Sequence, residues 1–377
     1  MPKHILTAST FGLSPERAAR RKAAESRIMA VFAQYGYEEV SLPLYEYYEV
    51  LRDITHDFRD ENVICFTERS GGKTLVLRPD FTPQVCRMVA GYKGELPLPL
   101  RVYYRGSIFR NVDTDQGTKS EKYQIGCELY GTKEIAGDLE LILCANRIMQ
   151  SSKINEYRII FGDAGYISRL FALLGDAPAR EYRKILAEKA IYKLDEFTSR
   201  LDAPALAALI KALPLAFGGR DEIKELIALS AFDEELKTRA NYLQEFFQNA
   251  VRCGVAVDKI VYDPSEARGL GYYTGINFEI LNSATGASFG GGGRYDKLMA
   301  KFGVDYTACG MALYLSEIEA ASAEALPEPD IDLVIGSANM AKAEELRNAG
   351  HMVVQLFDGD DKDAFLAGAG RKFNIVS

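Results

Sequence analysis

The spacing of apolar residues divides the chain into helical and extended segments. Ser14 followed by Pro15 marks a helix start, and Ala24, Ile28, Val31, Phe32 and Tyr35 recur on one helical face before Gly36 ends it. The next stretch, YEEVSLPLYEYYEVL, alternates and carries Pro43, which predicts a strand and then a helix start. VICFTER and TLVLRPD predict two paired strands around the turn Ser70-Gly71-Gly72. TPQVCRMVAGY predicts a helix that starts after Pro83 and closes near Gly91. LPLRVYYRGSIFR and YQIGCELYG are strand-like, and the polar NVDTDQGTKSEK between them predicts the loop of a hairpin. GDLELILCANRIMQSS reads as an amphipathic helix with Asp138 near its start, where negative charge suits the helix dipole. YRIIFGDAG predicts a further strand.

From about Glu181 to Gly254 the pattern is wholly helical. Leu236, Ala240, Leu243, Phe247 and Val251 repeat at helical spacing, and Gly218-Gly219 separates two of the helices. A helical block between strand-rich blocks predicts an inserted subdomain over about residues 175–254 of a domain spanning 1–326. Pro327 to Asp330 reads as a linker. Residues 327–377 then alternate strand, helix, strand, helix, strand, a small βαβαβ unit. At roughly 50 residues such a unit is marginal alone.

Composition narrows the function classes. A chain of 377 residues with 47% hydrophobic content can bury a large core. Its net charge of -8 argues against the whole chain being an electrostatic nucleic-acid binder. No run approaches the roughly 18 apolar residues that span a bilayer. The N-terminus MPKHILTASTFG lacks a signal-peptide apolar core, so a cytoplasmic protein without a membrane partner is expected. The six cysteines form no CxxC, and the three histidines (His4, His56, His351) lie far apart, so no metal site is indicated. Scarce histidine also leaves little room for a His-centred catalytic mechanism.

Candidate chemistry concentrates in RGLGYYTGINFE, from Arg268, and GASFGGGGRYDKL. Successive glycines let a backbone pass close to a ligand or another strand. Tyr272, Tyr273 and Tyr295 offer ring faces and hydroxyls, and Arg268 a planar fork of donors. The stretch fits a pocket for a small polar molecule with an aromatic or cationic part. It equally fits a glycine-rich hairpin with ordinary strand aromatics.

Four stretches taken together, LRPDFTPQVCR, YYRGSIFR with YQIGCELYG, RGLGYYTGINFE and GGGRYDKL, resemble the histidyl-tRNA synthetase family of class II synthetases. The resemblance covers about residues 10–320. It implies an α+β fold with an antiparallel sheet flanked by helices, a helical insertion, and a homodimer. By motif position it implies that Asp80, Thr82, Gln124, Glu128, Arg268, Tyr272, Tyr273 and Tyr295 surround histidine, with Arg110 retained from the second class motif. The chemistry agrees: carboxylates and Gln124 suit an α-amino group, arginine a carboxylate, and tyrosine hydroxyls the imidazole nitrogens.

The ATP side departs from the synthetase pattern. Val112 stands where the family has Glu, and Ser120, beside Glu121, where it has Arg. Ser316 and Glu317 replace the Glu-Arg that ends the third motif, and Gly271 replaces an acidic residue. A carboxylate at Glu317 repels phosphate. The C-terminal unit is about half the size of an anticodon-binding domain. A histidine pocket without an ATP subsite is similar to the paralogous family of ATP phosphoribosyltransferase regulatory subunits, as is Asp80 where synthetases usually carry Glu. That family implies a non-catalytic subunit with no cofactor and no nucleic-acid partner. It would assemble, as a homodimer within a hetero-oligomer, with a short-form catalytic subunit and sense L-histidine as allosteric effector in histidine biosynthesis. The alternatives are a working histidyl-tRNA synthetase, or a histidine-binding paralogue with another partner.

Overall fold

The computed structural model describes residues 12–52, 62–92, 95–112, 120–133, 135–264, 272–322, 330–369 and 371–376. Two compact units result, residues 1–323 and 324–377. The first is built on an eight-stranded sheet in the order β1-β5-β6-β11-β10-β9-β7-β8. Its strands are β1 (Glu38–Glu39), β5 (Leu100–Phe109), β6 (Glu121–Tyr130), β7 (Tyr157–Asp163), β8 (Ile260–Tyr262), β9 (Ile276–Asn282), β10 (Ser288–Arg294) and β11 (Ala308–Tyr314). A small antiparallel sheet, order β2-β4-β3, comprises β2 (Tyr45–Tyr47), β3 (Cys65–Thr67) and β4 (Thr74–Leu77). The expected turn joins β3 to β4, closed by Glu68 N–H donating to Lys73 O at 2.9 Å.

The first helix spans Pro15–Gln34, with the Ser14 hydroxyl accepting from Arg17 N–H. Ala24, Ile28, Val31 and Phe32 form its buried face. Tyr35 falls just past its end, and Gly36 takes φ +78°, a conformation that glycine adopts without Cβ strain. β5 and β6 pair antiparallel over their full lengths, from Leu100↔Tyr130 to Phe109↔Glu121. The connecting residues 113–119 lie outside those described.

The large sheet is not wholly antiparallel. β1 pairs parallel with β5, and β7 with β8. Parallel neighbours need a crossover connection. The helical block supplies it, carrying the chain from the end of β7 at Asp163 to the start of β8 at Ile260. Its helices therefore pack on the sheet as a layer. Phe161 of β7 lies 5.2 Å from Phe246 and 5.7 Å from Tyr262. The last helix of the block, Glu234–Arg252, buries Leu236, Ala240, Leu243, Phe246, Phe247 and Ala250. Val251, expected on that face, is only partly buried, because Phe246 and Ala250 turn toward the core in its place.

Alternation gives the sheet two unlike faces. Ile125, Cys127 and Leu129 of β6 join the large core with the helices Pro15–Gln34 and Ala136–Ser151. Tyr104, Tyr130 and Tyr295 belong to a second cluster, under the helix Thr82–Gly91. The smaller unit is parallel, in the order β13-β12-β14, with β12 (Ile331–Ile335), β13 (Met352–Leu356) and β14 (Asn374–Val376). Ile331, Leu333, Val334, Ala343 and Leu356 are its buried apolar residues among those described. No helix among the described residues is long and apolar enough to cross a membrane.

Because the helical block shares the sheet's core, the two unfold together. Phe246→Ala, at a fully buried ring, is expected to cost about 3–5 kcal/mol. Urea unfolding followed by far-UV circular dichroism should show one transition at a lower midpoint. Hydrogen exchange that releases the helices of residues 164–252 apart from the large sheet would show the block to be an independent unit.

Candidate functional site

The second face of the sheet carries a cavity of ≈ 370 Å³. Its floor exists because β10 and its neighbours lack side chains. Gly291, Gly292 and Gly310 line it. A Cβ on Gly310 would stand 1.6 Å from Glu128 Oε2, and one on Gly126 would stand 2.5 Å from the Tyr104 hydroxyl. Those two absences let the Glu128 and Tyr104 side chains lie flat along the sheet. Gly290, at the start of the floor, has φ +134°, which a side chain would strain.

One wall comes from the turn into the helix Thr82–Gly91. Asp80 Oδ1 accepts the Thr82 N–H at 3.0 Å, fixing both side chains beside the cavity. The turn is held from outside. The Phe81 ring stacks on Tyr104 at 4.3 Å, and the Arg78 guanidinium covers Phe81 at 3.7 Å. Arg78 in turn donates to Ser107 O and Pro43 O. The opposite wall is aromatic. Tyr272 meets Tyr273 at 5.1 Å and Tyr295 at 5.8 Å, edge to face in both pairs.

Glu128 lies behind these walls and is 1% exposed. Thr82 Oγ1 donates to its Oε1 at 2.8 Å, the Tyr104 hydroxyl donates at 3.3 Å, and the Tyr295 hydroxyl donates to Oε2. Burial pushes its carboxyl up to about 8, against the hydroxyl bonds that favour the anion. Asp80 is also raised by burial, opposed by the nearby Arg110 charge and the Thr82 N–H. Burial raises Tyr272, Tyr273 and Tyr295, so they remain neutral hydroxyls. Gln124 is 4% exposed, and its Oε1 has no hydrogen-bond partner among the described residues. This oxygen is a desolvated acceptor on a residue that lines the cavity. Among the described lining residues Arg110 is the one basic side chain, set against Asp80 and Glu279.

Of the residues singled out from sequence, Asp80, Thr82, Arg110, Gln124, Tyr272, Tyr273 and Tyr295 line the cavity. Glu128 does not line it, since its oxygens are engaged by wall hydroxyls. Arg268 and Gly271 lie outside the described residues. Ser316 and Glu317 open the helix Leu315–Ala321, where the Ser316 hydroxyl donates to Glu317 Oε1 at 3.3 Å. They also lie off the lining, which ends at Tyr314. Sequence reading missed Asn277, Glu279 and Tyr314. The signal for the first two was present: polar residues at every second position of Ile276–Ile280 mark one face of a strand.

Comparison with known proteins agrees with this architecture. The histidyl-tRNA synthetase family model matches residues 10–318. An ATP phosphoribosyltransferase regulatory subunit of Geobacter metallireducens is 31% identical over 90% of this chain and 79% of its own. One of Moorella thermoacetica is 30% identical over 98% of this chain and 97% of its own. The fold is shared with a Bacillus halodurans crystal structure described as an ATP phosphoribosyltransferase regulatory subunit/histidyl-tRNA synthetase, with TM-score 0.86, 23% identity, and coverage of 100% of this chain and 99% of that one. It is shared also with histidyl-tRNA synthetase from Nostoc, with TM-score 0.78, 18% identity, and coverage of 98% and 90%. The chain therefore belongs to the histidyl-tRNA synthetase family, within its branch of ATP phosphoribosyltransferase regulatory subunits.

Proposed function

We propose that this regulatory subunit is non-catalytic, binds L-histidine in the sheet cavity, and confers histidine feedback on a short-form catalytic subunit of ATP phosphoribosyltransferase. The observation that carries this reading is the cavity's inventory of charge and donors. Among the described lining residues one arginine faces two carboxylates, with neutral hydroxyls and a desolvated amide oxygen around them. That set suits a small zwitterion with a ring of nitrogen donors and suits a polyphosphate poorly. Asp80 and Thr82 would take the ammonium, Arg110 the carboxylate, and Gln124 with the tyrosine hydroxyls the imidazole. Glu128 would act from behind, holding Thr82 and Tyr295 in place.

For feedback, histidine must favour one state of the assembly, since equal affinity for two states shifts neither. A homodimer within that assembly is supported by the small sheet, where Tyr45, Tyr47 and Phe66 are exposed and the Tyr45 and Phe66 rings meet at 5.9 Å. The family model and the fold keep a second reading in view, a working histidyl-tRNA synthetase. Ser316 and Glu317 weigh against it.

Calorimetry should show the purified chain binding L-histidine, and mixing it with a short catalytic subunit should yield phosphoribosyltransferase activity that histidine suppresses. Histidine-dependent pyrophosphate exchange by the chain alone would overturn the regulatory reading.

Glu128 supplies a pH test. Its folded carboxyl is raised to about 8, so the free protein holds the proton at pH 7, and an arriving ammonium favours the carboxylate. Histidine binding near pH 7 should release a proton and tighten as pH rises toward 8. The measured heat should then depend on the buffer's ionisation enthalpy. Glu128→Gln should remove that dependence, and Glu128→Ala should weaken binding about tenfold, as expected for ~1.4 kcal/mol of lost support to the wall hydroxyls. Equal heats in all buffers for the unaltered chain would rule out the proton release.

A further inference from the structure

Two walls of the cavity, Tyr272–Thr274 and Tyr295, are held from outside the cavity as well as from within it, where the Tyr295 hydroxyl bonds Glu128. The outside anchor is one buried polar cluster on the other side of the sheet. Arg294 is fully buried, and its Nε donates to Asp138 Oδ1 at 2.9 Å. Its Nη1 donates to Asp296 Oδ1 at 3.1 Å and to Thr132 O at 3.2 Å. Asp296 Oδ1 also accepts the Ala308 N–H at 2.8 Å. Both chain neighbours of Tyr295 are thus tied down. The same pair holds the aromatic segment: Thr274 N–H donates to Arg294 O at 2.7 Å, and Asp296 N–H donates to Thr274 Oγ1 at 3.1 Å.

The remaining oxygen of Asp138 faces the helical crossover. The Tyr242 hydroxyl, on the helix Glu234–Arg252, donates to Asp138 Oδ2 and accepts the Ile135 N–H at 2.8 Å. Ile135 adopts φ 63° and ψ -59°, a γ-turn conformation that a β-branched residue takes only under constraint. One phenol therefore completes the shell of a buried carboxylate and fixes a strained backbone beside it. Nothing assigned to the cavity so far uses this residue.

We propose that Tyr242 is a positioning residue for the cavity, acting through Asp138 and Arg294 to hold Tyr295 and the Tyr272–Thr274 segment in register. The crossover block thereby sets the shape of a site that none of its own residues enters. By reciprocity, a ligand that orders the cavity walls also steadies the contact with the crossover. The affinity arm of the test rests on the histidine reading above, and the exchange arm does not.

Arg294 and Asp138 are poor test positions, because removing one leaves the other charge buried and uncompensated, which threatens folding. Tyr242→Phe removes only the hydroxyl. Tyr166→Phe is the control, since the buried Tyr166 hydroxyl bonds Ser230 Oγ at 2.8 Å and takes no part in the cluster. In the ligand-free chain, hydrogen exchange at the amides of residues 272–274 and 294–296 should quicken at least fivefold in Tyr242→Phe and stay unchanged in Tyr166→Phe. Histidine affinity should fall at least fivefold in the first variant alone. If both variants loosen the cavity amides alike, or neither does, the positioning role is overturned. If the unaltered chain binds no histidine, the histidine reading fails while the exchange comparison still decides the role of Tyr242.

Discussion

A buried carboxylic acid, with no cation against it among the described residues, lies at the centre of this structure. Glu128 is buried on the cavity face of the sheet, where the hydroxyls of Thr82, Tyr104 and Tyr295 donate to it. Burying such a group is costly unless its hydrogen bonds are met. Meeting them dictates the rest. The strands alongside must present glycine at 126 and 310, because any side chain would occupy the space of Tyr104 or of the carboxyl. The turn into the helix Thr82–Gly91 must bring a hydroxyl to Oε1, and the end of β10 must bring another to Oε2. The cavity above is what remains once these requirements are satisfied.

The opposite face of the same strands obeys a different rule. Ile125, Cys127 and Leu129 alternate with the cavity-side positions and disappear into the large apolar core. Arg294 is a fully buried charge on that face. Asp138 meets it from the first turn of the helix Ala136–Ser151. Its place near the helix start had a ready local explanation in the helix dipole. The tertiary partner is the stronger one, since the pair is 2.8 Å apart and both side chains are 1% exposed.

The cavity's charge balance suits a role in sensing. Phosphate binding in a site of this kind calls for converging arginines. Arg110 alone, among the described lining residues, provides that charge, and the helix following β11 brings Ser316 and Glu317. The desolvated acceptor at Gln124 and the neutral tyrosines instead favour a ligand with hydrogen-bond donors of its own. The branch of regulatory subunits to which the chain belongs fits a site that recognises and does not activate.

Much was legible from sequence because it depends on neighbours along the chain. The Ser14 cap, the Ser70-Gly71-Gly72 turn, the antiparallel pair β5 and β6 and the βαβαβ tail each follow from local spacing and turn chemistry. The order of four motifs marked most of the cavity, from Asp80 to Tyr295. What sequence left undecided depends on partners far apart in the chain. Period-two alternation says that Asn277 and Glu279 share a face, but only the pairing of β9 with β10 sets that face against the cavity. Helical spacing identified the block ending at Gly254, but only the parallel register of β7 and β8 makes it a crossover. Motif position put Glu128 beside the ligand, but only the assembled sheet brings the hydroxyls of Thr82 and Tyr295 to its oxygens. Local chemistry determines which element forms, while burial and register determine which side chains meet, and those are settled only when the whole sheet assembles.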